Sequence, residues 1–325
     1  MTSISIIGVG NIGRVHLDNL RSLRGCRVAG VFDTQAIVGC GDVRVYDSIE
    51  QLLNDPETAA VVIATPSNTH AELTERALAA GKHVFVEKPL AGTLHDAERI
   101  VKAGQRYSDR VLQAGFCERF NVNYLEAKRA VREGRLGALR SIQTFRAAPY
   151  AWSNPEWELG VLDTAVHNLD LILWLKEATP VTVLARGTNV YRESAIPHAV
   201  TTVLTFADGS LAVDQICWLQ DGGFPLNQCA RSRMLLQGSD GYFETDLTSR
   251  PSALRTAEGY REIDSVIIGA PEYAGCLKLQ FEYFLRSIEE GATVLAPAGD
   301  GLRTERVALA ALESLRTGME VRLAS

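Results

Sequence analysis

The chain has 325 residues, of which 46% are hydrophobic and 22% charged, and its formal net charge is −6 at pH 7. This length and composition are typical of a globular protein with two domains, and the negative balance argues against a nucleic-acid-binding surface. The six cysteines are scattered, which argues against a disulfide scaffold or a zinc knuckle, and the lack of a basic leader and of a long uncharged apolar run favours a cytoplasmic protein without a membrane partner.

The first predicted elements surround a glycine-rich turn. An apolar run, Ile4–Ile7, leads into Gly8, a helix is predicted from Arg14 to Leu23, and a second apolar run, Val28–Phe32, ends at Asp33. Strand, glycine turn, helix, strand and an acid about 20 residues after the turn are typical of a dinucleotide-binding unit. The residues predicted to contact the cofactor in this unit are Gly8, Gly10, Asn11, Ile12, Gly13, Asp33 and Thr34.

Each glycine of the turn has a separate predicted role. Gly8 permits the tight turn, Gly10 lets the pyrophosphate approach the backbone, and Gly13 lets the helix pack closely on the strand. The phosphates are then expected at the free N–H groups of the helix N-terminus, where the helix dipole favours negative charge.

Asp33 favours NAD over NADP as the cofactor. A carboxylate at the end of the second strand accepts hydrogen bonds from ribose hydroxyls and repels a 2′-phosphate. The next residues, Thr34, Gln35 and Ala36, include no arginine or lysine that would attract that phosphate.

The rest of the first third alternates strands with helices. Further strands are predicted at Val43–Tyr46, Ala60–Ala64, Val84–Val86 and Val111–Phe116, and helices begin at Ser48, Thr69 and Thr93. Alternation of this kind indicates a parallel sheet with right-handed crossovers, here with six strands. The α/β part, residues 1–118, is therefore predicted to be a Rossmann NAD-binding domain.

The pattern changes after residue 118. Runs with strand character now follow one another, which indicates a large, mostly antiparallel sheet. They are Leu139–Arg146, Val181–Tyr191, Val200–Phe206, Leu211–Leu219, Met234–Gln237 and Tyr242–Thr245. Helices are predicted at Val122–Glu133, Val161–Lys176, Ala274–Glu290 and Leu302–Thr317. Residues 119–325 are therefore predicted to form an α+β domain for substrate binding and oligomerisation.

The helix predicted at Val161–Lys176 carries Asp163, His167 and Asp170 on one stripe. Almost every neighbour is apolar, so the helix is expected to be buried and its charges paired. The stripe is compatible with a structural cluster around a core histidine, or with an acid–base histidine held by a carboxylate. A metal site is less favoured, because no further cluster of ligands stands out.

Lys88 lies in the motif Glu87-Lys88-Pro89, directly after a predicted strand. Ligands of open α/β sheets bind beyond the carboxyl ends of the strands, which places Lys88 near the cofactor, although most lysines are simply solvated. The segment Ala64–His70 follows the preceding strand at the same edge. Cofactor contacts are predicted here for Ala64, Thr65, Pro66, Asn68, His70, Glu87 and Lys88.

Together these motifs resemble those of the glucose-fructose oxidoreductase / inositol dehydrogenase / MocA (Gfo/Idh/MocA) family, over essentially the whole chain. The motifs are Gly8–Gly13, Ala64–His70, Glu87-Lys88-Pro89 and Gly160–Asp170. The resemblance implies that Lys88, Asp163 and His167 form the catalytic set and that a hydride moves between NAD and one carbinol carbon of a sugar or cyclitol. It also implies assembly as a homodimer or homotetramer.

The substrate subtype is left open by the sequence. The segment 150–158 offers Tyr150 and Trp152 as aromatic contacts but no basic cluster for a diphosphate, which favours an unphosphorylated sugar or cyclitol. The stretch Glu118-Arg119-Phe120-Asn121 instead resembles UDP-N-acetylglucosamine 3-dehydrogenase-like members and adds Arg119 and Asn121 as candidate substrate contacts. An NAD-dependent glycosidase and a non-catalytic NAD-binding regulator are further alternatives.

Overall fold

The computed structural model describes residues 1–37, 39–149, 159–190, 197–219, 231–247, 250–256, 259–263 and 275–323. The chain divides into two compact units, the first comprising Met1–Asn121 with Gly269–Glu305 and the second Val122–Ile268 with Arg306–Ser325. The first change of unit lies close to residue 118. Residues 269–305, however, belong to the first unit, whereas the sequence interpretation assigned everything after residue 118 to the second.

Strands and helices alternate in the first unit, and strands follow one another in the second. The helices are α1 (Asn11–Arg21), α2 (Ile49–Asn54), α3 (His70–Ala79), α4 (Leu94–Arg106), α5 (Val122–Arg132), α6 (Leu162–Lys176), α7 (Cys276–Glu290) and α8 (Ala298–Thr317). The strands are β1 (Thr2–Ile7), β2 (Cys26–Phe32), β3 (Ala60–Ile63), β4 (His83–Val86), β5 (Leu112–Ala114), β6 (Leu139–Pro149), β7 (Thr182–Thr188), β8 (Ala199–Thr205), β9 (Leu211–Leu219), β10 (Arg231–Gly238), β11 (Tyr242–Asp246), β12 (Arg250–Thr256), β13 (Gly259–Ile263) and β14 (Val321–Arg322).

The sheet of the first unit is parallel throughout. Within the described residues it has five strands in the order β2-β1-β3-β4-β5. The central strands are apolar and buried on both faces, as a parallel sheet covered by helices requires. The prediction of a Rossmann-type α/β unit is thus confirmed.

The predicted strand at Val43–Tyr46 is wrong. The segment pairs with β2 only through the bridge between Val31 and Val45. Ser48 then accepts a hydrogen bond from the Gln51 N–H and caps α2. The extended stretch therefore ends before a ladder can form, and the sheet has five strands rather than the expected six.

A helix from late in the chain completes the core of the first unit. Phe281 and Phe284 on α7 are fully buried and join a cluster that contains Phe85 of β4. The rings of Phe85 and Phe281 have their centroids 4.8 Å apart, and the ring of His16 on α1 meets Phe281 edge-on at 4.9 Å. The apolar stripe of α7 is therefore buried against α1 and the sheet.

The second unit contains a sheet of nine strands among the described residues, in the order β13-β12-β11-β10-β6-β9-β8-β7-β14. Only the central pair β6 and β9 is parallel, and the other pairs are antiparallel. Helix α6 packs on this central pair. The mostly antiparallel α+β prediction is confirmed, although β12, β13 and β14 were not expected.

Candidate active site

The glycine turn connects β1 to α1 with the geometry that the sequence indicated. Gly8 has a φ of +91°, which favours glycine, and a Cβ added there would lie 2.5 Å from the Ala64 carbonyl oxygen. A Cβ on Gly13 would lie 2.0 Å from the Gly8 carbonyl oxygen, so α1 can approach β1 only without a side chain at that position.

Gly10 differs from the other two glycines because the space around it is open. No heavy atom of the described residues lies within 4 Å of a Cβ added there. Gly10 is the N-cap of α1 and offers no capping side chain, so the first N–H groups of the helix stay available to a ligand. Asn11 and Ile12 are exposed beside it. A dinucleotide pyrophosphate fits this open, uncapped helix N-terminus.

Asp33 lies at the end of β2, next to the glycine turn. Its Oδ2 accepts a hydrogen bond from the Val9 N–H at 2.7 Å, and its Oδ1 accepts one from the Gln35 N–H at 2.9 Å. The carboxylate is half-buried and Thr34 is exposed beside it. Two backbone donors thus fix the carboxylate at the end of β2, beside the glycine turn.

The segment after β3 is a short turn of 3-10 helix, Ser67–Thr69, that leads into α3. The hydroxyls of Thr65 and Thr69 lie 2.7 Å apart, and Thr69 also donates to the Pro66 carbonyl. Pro66 and Asn68 are exposed, whereas Ala64 is buried. The exposed part of this segment lies at the carboxyl end of the sheet, as predicted.

His70 is placed differently from the other predicted cofactor contacts, because its ring is buried. Nε2 lies 2.9 Å from the Thr65 carbonyl oxygen, and Nδ1 lies 3.1 Å from that of Pro89 and 3.2 Å from that of Leu90. Burial lowers the pKa of His70, and the contacts with these carbonyls oppose that shift. His70 therefore links the loops after β3 and β4 instead of presenting its ring to a cofactor.

Glu87 and Lys88 follow β4 directly but differ in burial. Lys88 is half-buried, and the Lys88–Pro89 peptide is cis. The Glu87 carboxylate is buried, so it does not face a cofactor. Its Oε1 lies 2.6 Å from Nε2 of His16, and its Oε2 accepts a hydrogen bond from the Lys88 N–H at 2.8 Å.

Arg119 does not lie where a substrate contact was predicted. Its side chain is fully buried (0% exposed), and Nη1 donates to the Leu295 carbonyl at 2.8 Å and to Asp300 at 2.6 Å. Both partners belong to the same unit, so the guanidinium joins β5 and its following turn to the start of α8. This placement removes Arg119 from the predicted substrate contacts, whereas Asn121 is half-buried.

In the second unit, α6 is buried on nearly every side. Of its residues, only Thr164, His167 and Lys176 are half-buried, and all others are buried. Asp163 lies in the first turn and is 5% exposed, and Asp170 is 0% exposed. Among the three polar residues of the predicted stripe, His167 is thus the only one that is half-buried, whereas Asp163 and Asp170 are buried.

A buried polar network lies between α6 and the sheet. It includes Asn168, the residue that follows His167. Asn168 donates to Oδ1 of Asp214 at 2.7 Å, and Thr144 donates to the same oxygen at 2.8 Å. Arg146 donates through Nε to the Asn168 side-chain oxygen at 3.0 Å. Burial raises the pKa of Asp214 to about 6, and the hydrogen bonds and the charge of Arg146 only partly oppose this. The network ties α6 to the parallel pair β6 and β9.

Two predicted substrate contacts, Tyr150 and Trp152, lie outside the described residues. Lys88 belongs to the first unit, and Asp163 and His167 belong to the second. Among the described residues, no group of three or more His, Cys, Asp or Glu side chains could hold a metal ion. No helix in the same part of the chain has the length and apolar content needed to cross a membrane.

Two residues of these networks were missed in the sequence analysis. His16 follows Gly13 on the face of α1 that also carries Leu17 and Leu20, so its position on an apolar stripe was a readable signal of burial. Asp214 occupies an inward position of β9 between Ala212 and Ile216, where the alternation predicts an apolar residue. A charged residue at such a position indicates a buried network.

Two family models match the chain, one in each half. Residues 2–116 match the model described as an oxidoreductase family with an NAD-binding Rossmann fold. Residues 124–244 match the GFO/IDH/MocA C-terminal domain. The two matches together cover most of both units.

The chain is similar to proteins named inositol 2-dehydrogenase. It is 34% identical to that of Ralstonia nicotianae, over 53% of either chain, and 28% identical to that of Rhizobium meliloti, over 98% of either chain. The first match thus spans about half of the relative, and the second nearly all of it. Among solved structures, UDP-N-acetylglucosamine 3-dehydrogenase GnnA from Acidithiobacillus ferrooxidans is 26% identical over 97% of both chains, with a TM-score of 0.80.

Proposed function

This chain belongs to the Gfo/Idh/MocA oxidoreductase family, and we propose that it is an NAD-dependent dehydrogenase acting on a secondary carbinol carbon of a sugar or cyclitol. The observation that carries the proposal is the half-buried His167 in the middle of a largely buried helix, within a chain similar along 98% of its length to an inositol 2-dehydrogenase. An imidazole titrates near neutral pH, which suits a general base for a hydroxyl proton.

The cofactor side of the proposal rests on the turn after β1. Gly8–Gly13 and the uncapped N-terminus of α1 would hold the pyrophosphate, and Asp33 would accept hydrogen bonds from ribose hydroxyls. NAD, when bound, supplies the acceptor for the hydride. NAD is proposed over NADP because the Asp33 carboxylate would repel a 2′-phosphate and no basic residue follows it at positions 34–36.

Three side chains are proposed as the catalytic set. His167 takes the proton of the substrate hydroxyl as the hydride leaves the same carbon. The Lys88 ammonium stabilises the developing alkoxide by its charge. Asp163 binds a neighbouring hydroxyl of the substrate, which orients the carbinol carbon.

An unphosphorylated polyol is proposed as the substrate. A nucleotide sugar carries a diphosphate, which arginine side chains bind best. Arg119, which the sequence suggested as a substrate contact, is ion-paired with Asp300, and Arg146 is buried and donates to Asn168. Similarity to a UDP-N-acetylglucosamine 3-dehydrogenase keeps the nucleotide-sugar reaction as the second candidate.

A substrate panel tests the proposal directly. Purified protein is incubated with NAD or NADP and with inositols, aldoses, amino sugars or UDP-sugars. Formation of NADH or NADPH is followed by absorbance. We expect NADH to accumulate with an inositol or an unphosphorylated sugar and NAD. Turnover confined to UDP-sugars would establish the second candidate. Cleavage of a glycoside without net NADH would indicate the glycosidase, and NADH binding without any turnover would indicate a regulator.

The assembly and location of the protein are proposed from the family. We infer a homodimer or homotetramer in the cytoplasm, with the first unit, Met1–Asn121 with Gly269–Glu305, binding NAD and the second unit binding substrate and mediating oligomerisation. Light scattering after size-exclusion chromatography measures the oligomer, and cell fractionation measures the location. A monomer at micromolar concentration would contradict the assembly.

A further inference from the structure

We propose that His16 and Glu87 form a positioning pair for Lys88, which holds the backbone at the end of β4 so that the lysine side chain is presented in one orientation. The proposal deepens the proposed function and rests on it, because it concerns the same lysine. In this proposal His16 and Glu87 act through Lys88 and touch neither the substrate nor the cofactor.

The Glu87 carboxylate joins the two partners. Oε1 lies 2.6 Å from His16 Nε2, and Oε2 accepts the Lys88 N–H at 2.8 Å. Burial by itself would raise the pKa of Glu87, but the contact with His16 and the hydrogen bond from Lys88 lower the pKa below its usual value. An ionised carboxylate only accepts hydrogen bonds, so Nε2 of His16 carries the proton and donates.

The surroundings of His16 indicate that the specific role of its ring is the hydrogen bond to Glu87. The ring is 0% exposed and packs edge-on against Phe85 and Phe281, with centroids 5.7 and 4.9 Å away. Nδ1 has no hydrogen-bond partner within the described part of the chain. A phenylalanine would fill this aromatic space without the cost of burying a polar ring, so the contact with Glu87 is the specific contribution of histidine.

Glu87 has little freedom to move away from this arrangement. Its N–H donates to the Ile63 carbonyl at 3.0 Å, which ties its backbone to β3. A Cβ added to Gly115 would lie 3.0 Å from both Cδ and Oε2 of Glu87, so the carboxylate packs directly against the Gly115 backbone. The residue before Lys88 is thus fixed at its main chain and at its side chain.

Such fixing matters for catalysis because small displacements are costly. Misplacing a reacting group by about 1 Å can reduce turnover about 100-fold, and side chains of a site stay in place when the residues behind them are locked by packing and hydrogen bonds. Lys88 is half-buried and lies two residues beyond the end of β4, where the hydrogen bond to Glu87 sets the direction of its backbone N–H.

The experiment compares substitutions of similar shape that differ in the hydrogen bond. His16→Phe fills the aromatic space but removes the donor, whereas the amide nitrogen of His16→Gln can replace Nε2. Glu87→Gln keeps the size of the side chain, but its single side-chain oxygen can accept a hydrogen bond from only one of the two donors, His16 Nε2 and the Lys88 N–H. Ser5→Ala is the matched control, because it removes a buried hydrogen bond of 2.7 Å to Thr58 within the same unit.

Five quantities are measured for each variant: kcat and KM for the polyol, the Kd of NADH, the melting temperature, and the hydrogen-exchange rate of the peptide containing Lys88. We expect His16→Phe and Glu87→Gln to lower kcat about 10- to 100-fold and to speed exchange at Lys88 about 10-fold, with little change in the Kd of NADH. His16→Gln is expected to recover most of the kcat. Ser5→Ala is expected to lower the melting temperature only.

The proposal is overturned if folded His16→Phe and Glu87→Gln variants keep the kcat and the exchange rate of the wild type. If His16→Phe does not fold, Glu87→Gln and His16→Gln decide the question by the same measurements. Lys88→Met separates the two levels of inference: unchanged turnover in that variant would refute the proposed role of Lys88, whereas the exchange rates would still report whether the pair holds the backbone.

Discussion

The backbone N–H of Val9 donates to Oδ2 of Asp33 at 2.7 Å, so the glycine turn after β1 and the acid after β2 form one hydrogen-bonded unit. Asp33 therefore orders the turn in addition to its proposed contact with the ribose. Its second oxygen is held by the Gln35 N–H at 2.9 Å, which directs the carboxylate before any ligand is bound.

Replacing Asp33 by asparagine is expected to change the cofactor preference. The charge that repels a 2′-phosphate is lost, and one of the two backbone donors meets an amide NH₂ instead of an acceptor. We expect the KM for NAD to rise about 10-fold or more and the ratio of kcat/KM for NAD to that for NADP to fall. Steady-state kinetics with both cofactors measure this ratio, and an unchanged ratio would contradict the proposed role of Asp33.

The glycines of the turn are expected to respond differently to alanine. Gly13→Ala brings a Cβ against the Gly8 carbonyl oxygen and is expected to destabilise the protein by about 1–3 kcal/mol. Gly10→Ala meets open space at a φ of −65°, so the unfolding free energy should change by less than about 0.5 kcal/mol. Urea denaturation measures both changes.

The same Gly10→Ala variant is expected to lose affinity for the cofactor. Its methyl group occupies the space through which the pyrophosphate would approach the backbone, so the Kd of NADH should rise about 10-fold or more. Fluorescence titration with NADH measures this Kd. Wild-type affinity in a stable Gly10→Ala protein would show that the phosphates lie elsewhere.

His167→Ala is expected to lower kcat about 100- to 10,000-fold, because the general base is removed. The Kd of NADH should stay near the wild-type value, since His167 belongs to the second unit and the proposed cofactor contacts belong to the first. His95→Ala serves as the control, because that side chain on α4 is 80% exposed and is not among the predicted site residues. Equal turnover in the two variants would rule out His167 as the base.

The buried Asp214 is expected to make stability fall as pH rises. Its pKa is raised from 3.8 to about 6 in the folded protein, so the folded state keeps the proton to higher pH than the unfolded chain does. The cost of ionising it is absent below pH 4, develops between pH 4 and 6, and reaches about 3 kcal/mol above that range. The free energy of unfolding of Asp214→Asn, relative to that of the wild type, should therefore rise by this amount between pH 4 and pH 7.

Urea denaturation across this pH range measures the difference between Asp214→Asn and the wild type. Asp208→Asn provides a control, because hydrogen bonds from Lys176 and Ser210 lower the pKa of Asp208 instead of raising it. The stabilisation by that carboxylate is nearly complete above its unfolded pKa, so the difference between Asp208→Asn and the wild type should stay nearly constant between pH 4 and pH 7. A flat difference for Asp214→Asn would contradict the assigned pKa.

Much of the first unit could be predicted because local signals and tertiary structure agree there. Ser48 and Thr93 cap helices as their positions indicated, and the buried strands β1, β3 and β4 end in the apolar runs Ile6-Ile7, Ala60–Ile63 and Val84–Val86. Val43–Tyr46 was misread because its residues suit a strand, whereas the helix cap at Ser48 ends it after one bridge. β-propensity describes the preference of a segment for extended structure. It does not show whether a neighbouring strand continues beside that segment.

The candidate site was less predictable where burial decides the role of a charged residue. Arg119 and His70 were expected to face ligands, but both are buried. Arg119 pairs with Asp300, which is far away in the sequence, and His70 contacts the Pro89 carbonyl on a neighbouring loop. The pairing of His16 with Glu87 joins α1 to the end of β4, and although the apolar stripe of α1 indicates that His16 is buried, no local pattern identifies Glu87 as its partner. Contacts of this kind depend on sheet order, which spacing along one sequence does not reveal.

The packing of α7 into the first unit has a consequence for how the protein is made. On the ribosome, Met1–Asn121 emerges long before Cys276–Glu290, so the nascent first unit lacks Phe281 and Phe284 until the intervening segment Val122–Ile268 has been translated. Each of these rings contributes about 1.5–3 kcal/mol by its burial. The core of the cofactor-binding unit, although its sheet is synthesised first, is therefore completed late, and its aromatic surface stays uncovered during much of elongation.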